Sequence, residues 1–141
     1  MNYCYEYPRP MVTVDIILIS KNNNNVLLIK RKNNPFQNCW AFPGGFVDMD
    51  ETLEHAALRE LNEETSISNV GLTQFKAFSA INRDPRGRNI AVVFWSLINE
   101  EDVLPKAGDD AKEVAWFNLN NLPTLAFDHK IIIEELIKEK F

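Results

Sequence analysis

The run of ten residues from Met11 to Ser20 (MVTVDIILIS) is the feature that most constrains the fold of this chain. It is rich in valine and isoleucine and almost continuously apolar, which predicts a buried β-strand. Four asparagines follow at Asn22 to Asn25, and because asparagine tolerates positive φ they predict a turn. Val26 to Lys30 is then the predicted returning strand of a β-hairpin.

The rest of the hydrophobic pattern alternates between strands and helices. Leu53, Ala56, Ala57 and Leu61 recur at helical spacing, which predicts a helix over 52–65 with its first residue, a threonine, as N-cap. We also predict a short strand at 40–42, stopped by Pro43-Gly44-Gly45, further strands at 74–81, 90–98 and 113–117, an acidic loop at 100–111, and a terminal helix at 131–140. This order predicts one domain over residues 1–141, built as a mixed β-sheet with a helix on each face.

Composition excludes several classes of function. Fifteen lysines and arginines face twenty aspartates and glutamates, and no basic block stands out, so long nucleic acid is not an expected partner. Two cysteines, Cys4 and Cys39, form neither a disulfide framework nor a metal-ligand spacing. The N-terminus lacks the pattern of a signal peptide, and no apolar stretch approaches the roughly 20 residues of a membrane span. We therefore expect a cytoplasmic protein with no membrane partner.

Three carboxylates mark the predicted first helix as a candidate site. Glu60, Glu63 and Glu64 lie three and four residues apart, so they project from one helical face. The like charges of Glu60 and Glu64 repel, and Arg59 offsets only part of that cost. Hard cations such as Mg²⁺ prefer oxygen ligands, and the preceding Pro43-Gly44-Gly45 turn lets backbone carbonyls approach the same ion. By themselves, these glutamates favour an exposed acidic helix face over a metal site.

The surrounding segment, residues 45–67 (GFVDMDETLEHAALRELNEETSI), resembles the Nudix box. That pattern is Gly, five residues, Glu, seven residues, then Arg-Glu-apolar-any-Glu-Glu-any-Gly-apolar. Its positions are occupied here by Gly45, Glu51, Arg59, Glu60, Leu61, Glu63, Glu64 and Ile67. Six such identities at roughly 7% each coincide by chance about once in 10⁷ positions. Ser66 stands where the box has a helix-ending glycine, so we expect Ser66 either to carry backbone strain or to end the helix differently.

The resemblance implies a Nudix-type α/β/α sandwich with a mixed β-sheet, and a hydrolase that depends on Mg²⁺ or Mn²⁺. Carried over by position, Glu60 and Glu64 are metal ligands with the Gly44 carbonyl, and Glu63 is a ligand or the general base. Arg59 orients a glutamate, and Glu51 supports the loop and the metal shell. The general base can instead come from a late loop, where the candidates are Asp109, Asp110 and Glu113.

The segment Arg83 to Arg88 (RDPRGR) carries three arginines between two predicted strands. It is either a solvated hairpin tip or an anion-binding loop, because arginine forks match phosphate. Together with the stretches at 42–48, 108–111 and 125–129, it resembles the ADP-ribose pyrophosphatase branch of the Nudix family. That resemblance implies cleavage of ADP-ribose to AMP and ribose 5-phosphate, with Arg83, Arg86 and Arg88 as substrate-binding residues.

Two alternatives remain at this stage. One is an enzyme that cleaves oxidised or modified nucleoside triphosphates. The other is a binding module that senses ADP-ribose without cleaving it, against which the intact box glutamates argue. Related ADP-ribose-sensing regulators carry a further C-terminal DNA-binding domain, for which we expect no room before Phe141. The expected partner is a small nucleotide, with a homodimer implied by resemblance alone. His129 either begins the last helix or contacts substrate, and Phe36 or Phe127 can stack on adenine.

Overall fold

The computed structural model describes residues 2–108 and 110–141. In that part of the chain no helix is long and apolar enough to cross a membrane. The elements, in chain order, are β1 (Met11–Ser20), β2 (Asn25–Arg31), β3 (Trp40–Ala41), β4 (Gly44–Phe46), α1 (Leu53–Thr65), β5 (Thr73–Phe78), β6 (Asn89–Ile98), a 3₁₀ turn (Glu100–Asp102), β7 (Ala111–Asn118) and α2 (His129–Lys140).

The strands form one mixed sheet in the order β3-β2-β1-β6-β5, with β4 paired to β1 and β7 paired to β2. β1 and β6 are parallel along their full length, whereas the other pairings are antiparallel. The predicted hairpin of β1 and β2 is confirmed by the pairing of Ile19 with Val26. Strand β1 therefore lies inside the sheet, as its apolar sequence requires.

Successive side chains of β1 point to opposite faces of the sheet. Val14, Ile16 and Leu18 join one core cluster, into which α1 inserts Ala56, Ala57 and Leu61. Ile17 and Ile19 join a second cluster, into which α2 inserts Ile132, Ile133 and Leu136. These side chains are almost completely buried. Burying a valine, leucine or isoleucine side chain completely stabilises the fold by about 1.5–3 kcal/mol. The predicted α/β/α sandwich is confirmed.

The short strand predicted at 40–42 is present as β3 and ends before Pro43, but the sequence analysis missed the strand that begins directly after it. Gly44 and Gly45 begin β4, which pairs with β1 through Asp15↔Gly44 and Val14↔Gly45. A Cβ atom at Gly44 would lie 2.2 Å from the Val14 carbonyl oxygen, so the close approach of these strands requires glycine. Other differences lie at element ends: β5 stops at Phe78, and α2 begins at His129.

The ends of α1 explain how the box segment tolerates its departure from the family pattern. The Thr52 hydroxyl accepts a hydrogen bond from the His55 backbone N–H at 3.1 Å, which confirms the N-cap. Ser66 ends the helix at φ 64° and ψ 13°, the left-handed conformation that glycine adopts in the box. Its hydroxyl donates to the Lys106 carbonyl at 3.1 Å. Ser66 thus accepts the backbone strain and ties the acidic loop to the helix end.

Candidate active site

A cavity of about 400 Å³ opens where β1, β2 and β4 meet the C-terminal end of α1 and the loops before β6 and α2. Charged groups of both signs line it. Its carboxylates are those of Asp15, Asp48, Glu60, Glu64, Asp84 and Asp110, and its cationic and aromatic groups belong to Arg31, Lys32, Phe42, Phe46, Arg83, Arg86, Phe127 and His129. Such a cavity suits a polar ligand that carries both negative charge and a ring system.

Glu64 is the most deeply buried carboxylate of the box helix, with 6% of its surface exposed. Its Oε1 accepts a hydrogen bond from the Gly44 backbone N–H at 2.7 Å. Burial raises the pKa of Glu64 to about 8, because the Gly44 hydrogen bond offsets only part of the desolvation and the carboxylates of Glu60, Asp110 and Asp15 raise the pKa further. A carboxylate that is buried in this way is stabilised either by protonation or by a bound cation.

Glu60 lies beside Glu64 in the same cavity and is held by the Arg59 Nη1 at 2.8 Å. Burial raises the pKa of Glu60, against the lowering effect of Arg59. A Cβ atom at Gly45 would lie 2.5 Å from the Glu60 carboxyl carbon. The two glycines of β4 therefore let the backbone approach both carboxylates closely, as an oxygen site for a hard divalent cation requires.

The Arg59 guanidinium contacts several residues of the box segment. It makes a bidentate contact with Glu51, with Nε 2.9 Å from Oε2 and Nη2 2.6 Å from Oε1, and also donates to the Phe46 carbonyl. These hydrogen bonds hold the pKa of Glu51 at about 2. Neither Glu51 nor Arg59 lines the cavity. Their contacts instead fix Glu60 and join the β4 backbone to α1.

Glu63 occupies a different position from the other two box glutamates. Its side chain is 40% exposed, contacts Arg59 Nη1 at 3.1 Å and does not line the cavity. Within residues 2–108 and 110–141, no three acidic, histidine or cysteine side chains already converge as a metal centre. Glu60 and Glu64 are brought together with Gly44, whereas Glu63 is turned toward Arg59.

The two late-loop acids that the structure describes also differ in position. Asp110 lines the cavity beside Glu64. Glu113 lies on β7 and contacts Lys30 Nζ at 3.4 Å, away from the cavity. Asp109 lies outside the described residues. The loop reaches the site because its backbone bonds to the end of α1, where the Lys106 N–H donates to the Thr65 carbonyl at 2.8 Å.

The arginine loop directs two of its three side chains into the cavity. Arg83 is buried and makes a bidentate contact with Asp128, with Nε 2.9 Å and Nη2 2.6 Å from the carboxylate oxygens. Arg86 contacts the Asp84 carboxylate through Nε and Nη2, the latter at 2.8 Å. Arg88 does not line the cavity. A solvated hairpin tip is therefore not the arrangement found for Arg83 and Arg86.

Several cavity residues were missed or left open by the sequence analysis. His129 is buried, accepts a hydrogen bond from the Phe42 backbone N–H at its Nδ1, and places Nε2 3.6 Å from Asp15. Asp15 is the single acid within the apolar run of β1, a signal that could have marked it. Arg31 carries no such signal, because in the sequence it only follows the strand predicted at 26–30.

Comparison with known proteins places these features in one family. The family model for the NUDIX domain matches residues 9–138 of this chain. The ADP-ribose pyrophosphatase of Methanocaldococcus jannaschii is 48% identical over 134 residues, which cover 95% of this chain and 77% of that protein. The ADPR responsive transcriptional repressor NtrR of Acinetobacter baylyi is 35% identical over 92% of this chain, which corresponds to 54% of the repressor.

The fold gives the same result. The NUDIX domain of Shewanella oneidensis NrtR, solved in complex with ADP ribose, superposes with a TM-score of 0.89 at 30% sequence identity. The match covers 99% of this chain and 95% of that one. Both the sequence model and the fold therefore extend well beyond the box segment, and the chain belongs to the Nudix hydrolase family.

Proposed function

We propose that this enzyme hydrolyses ADP-ribose to AMP and ribose 5-phosphate, with Mg²⁺ or Mn²⁺ as cofactor. The observation that carries the proposal is that one cavity holds Glu60 and Glu64 together with Arg83 and Arg86. Carboxylates suit a divalent cation, and arginines suit the phosphates of the substrate. The similarity to an ADP-ribose pyrophosphatase and to a domain solved with ADP ribose supports this choice of substrate.

Glu60, Glu64 and the Gly44 carbonyl would hold the cation, and Glu63 stays a further candidate ligand. A bound divalent cation would neutralise diphosphate charge and lower the pKa of the attacking water. The buried carboxylates support this role, because Glu64 has few partners other than the Gly44 N–H to stabilise its charge. Arg59 and Glu51 would act as positioning residues that keep Glu60 oriented.

The general base remains to be assigned between Glu63 and the late loop. Glu63 belongs to the box helix, but Arg59 holds its carboxylate outside the cavity. Asp110 lines the cavity beside Glu64, which supports it as the alternative base. Glu113 is a weaker candidate because it pairs with Lys30. We expect the pH–rate profile of the variant that lacks the true base to lose one ionisation.

Among the arginines of the loop, we propose Arg86 as the main substrate contact. The guanidinium of Arg83 donates two hydrogen bonds to the carboxylate of Asp128, the residue before α2. Its principal role would therefore be to position that helix and shape the cavity. Arg86 keeps 35% of its side chain exposed and retains one terminal amine outside its contact with Asp84. Arg88 remains a candidate by resemblance, without a place in the cavity lining.

A second candidate is a non-catalytic ADP-ribose sensor, favoured by the similarity to the repressor NtrR. The complete set of box glutamates supports catalysis instead. Cleavage of oxidised nucleoside triphosphates is the alternative within the enzyme class. A cytoplasmic location and a homodimer stay predictions.

The test is a substrate panel with purified protein in Mg²⁺, scored by product identity. ADP-ribose, an oxidised deoxyguanosine triphosphate and an unmodified nucleoside triphosphate are compared, with Glu64→Gln as the blank. We expect AMP and ribose 5-phosphate from ADP-ribose at the highest kcat/KM. Tight ADP-ribose binding without turnover would instead establish the sensor, and preferential release of pyrophosphate from a triphosphate would establish the nucleotide-cleaving enzyme.

A further inference from the structure

The cavity is also lined by Arg31, Arg86 and Phe127, three residues outside the box segment. Together with Phe36, which packs against Phe127, we call them the arginine–phenylalanine cluster. The guanidinium carbons of Arg31 and Arg86 lie 5.0 Å and 5.5 Å from the centroid of the Phe127 ring. Arg86 also lies 4.8 Å from the Phe46 ring. Two cations from distant parts of the sequence therefore meet at one aromatic side chain.

This arrangement places like charges close together in a partly dehydrated space. Arg31 is half-buried, and burial lowers its pKa, with the charge of Arg86 lowering it further. The carboxylates of Glu64, Asp84 and Asp110 raise the Arg31 pKa but offset only part of this effect. An anion that binds both guanidiniums would relieve their repulsion directly, in the manner in which arginine forks bind phosphate.

Both arginines keep hydrogen-bond donors that no described residue uses. Arg31 donates from Nε to the Pro35 carbonyl at 2.7 Å, and neither of its terminal amines has a partner in residues 2–108 and 110–141. Arg86 uses Nε and Nη2 on Asp84, which leaves Nη1. Each guanidinium is thus oriented by one contact while presenting free N–H groups.

The aromatic part of the cluster is held in a costly backbone conformation. Phe127 has φ 52° and Phe36 has φ 60°, both in the left-handed region that bulky residues rarely adopt. Their rings pack with centroids 4.8 Å apart. Such strain costs of order 1–3 kcal/mol per residue and clusters at ligand sites. Packing against Phe36 keeps the Phe127 ring in place as a support for both guanidiniums.

We propose that Arg31 and Arg86, supported by Phe127, form an anion-binding pair that takes a phosphate group of the substrate. The inference rests on the proposed function and deepens it by assigning a substrate-binding role to Arg31, which lies outside both the box segment and the arginine loop. Because the pair consists of protein cations alone, it binds phosphates without a divalent cation. Inorganic pyrophosphate is a sufficient probe.

The experiment is calorimetric titration of the full-length protein with pyrophosphate in excess EDTA. We expect Arg31→Ala to weaken the pyrophosphate Kd about ten- to hundredfold, as loss of a bidentate arginine contact predicts. Arg31→Lys keeps the charge without the fork, so it should bind with intermediate affinity, which separates anion binding from a loss of folding. Arg9→Ala is the matched control, because Arg9 lies 4.0 Å over the Tyr5 ring but outside the cavity.

Equal pyrophosphate affinity in wild type and Arg31→Ala, or no binding by the wild type in EDTA, would overturn the inference. Both results leave the proposed function untouched if ADP-ribose is still cleaved in Mg²⁺. Conversely, if pyrophosphate binding depends on Arg31 but ADP-ribose is not a substrate, the anion-binding pair stands and the proposed function fails.

Discussion

Replacing Glu64 by glutamine should stabilise the metal-free protein while abolishing hydrolysis. Glu64 is 6% exposed, and burial raises its pKa from 4.5 to about 8. Glutamine keeps an oxygen that can accept the Gly44 N–H hydrogen bond at 2.7 Å, so the substitution removes the charge and little else. The change therefore separates the cost of a buried carboxylate from its proposed function as a metal ligand.

The magnitude follows from the linkage between ionisation and folding. A rise from 4.5 to about 8 is about 3.5 units, or at most about 5 kcal/mol at roughly 1.4 kcal/mol per unit. Because the folded-state pKa is the higher one, this stabilisation is complete below about pH 4.5 and is lost as the pH rises through about 8. Water entry and side-chain movement reduce the ceiling, and we expect a loss of ~2 kcal/mol between pH 5 and pH 8.

The assay is urea unfolding of wild type and Glu64→Gln across pH 5 to 8.5 in EDTA, repeated in Mg²⁺. The variant should match the wild type near pH 5 and exceed its free energy of unfolding by ~2 kcal/mol near pH 8. Added Mg²⁺ should stabilise the wild type alone. Glu63→Gln is the control, because it removes the same charge from the same helix at a side chain that is 40% exposed and does not line the cavity. The reasoning is refuted if Glu64→Gln is less stable than wild type at pH 8 in EDTA, or if it hydrolyses ADP-ribose at the wild-type rate.

Three further substitutions test how the carboxylates of the site are held and whether Arg86 contacts the substrate. Gly45→Ala introduces a Cβ 2.5 Å from the Glu60 carboxyl carbon and should lower kcat at least tenfold, whereas Gly71→Ala, with no atom within 4 Å of its Cβ, should leave kcat unchanged in the same assay. Arg59→Lys removes the fork that joins the box carboxylates, so we expect kcat to fall about ten- to hundredfold with little change in KM; an unaltered kcat would contradict its positioning role. Arg86→Ala should cost roughly ten- to hundredfold in kcat/KM for ADP-ribose, and steady-state kinetics showing no loss would remove it from the substrate site.

The sequence predicted the features that local patterns determine. The apolar run of β1 and the helical spacing of Leu53, Ala56, Ala57 and Leu61 each specify an element without reference to the rest of the chain. The spacing of Glu60 and Glu64 on one helical face likewise predicted their shared cavity. These signals repeat within a few residues, so they survive when tertiary structure is unknown.

Other features depend on contacts between distant segments. Strand β4 exists because Gly44 and Gly45 pair with β1, a contact that the local Pro-Gly-Gly sequence does not reveal. Helical spacing placed Glu63 with its neighbours, but Arg59 draws its carboxylate outside the cavity. Arg31 and Arg86 are far apart in the sequence, and they come close because both guanidiniums pack against the Phe127 ring. Side-chain partners from different elements thus decide which residues of a motif face the cavity.

The central claim is tested most directly by the ratio of kcat/KM for ADP-ribose to that for an oxidised deoxyguanosine triphosphate, measured in the same Mg²⁺ buffer. The cavity combines box carboxylates with inward arginines, so the account predicts a ratio well above ten, with AMP and ribose 5-phosphate as the products of the preferred reaction. A ratio below one, with pyrophosphate released from the triphosphate, would contradict the account and assign the enzyme to nucleotide cleaning.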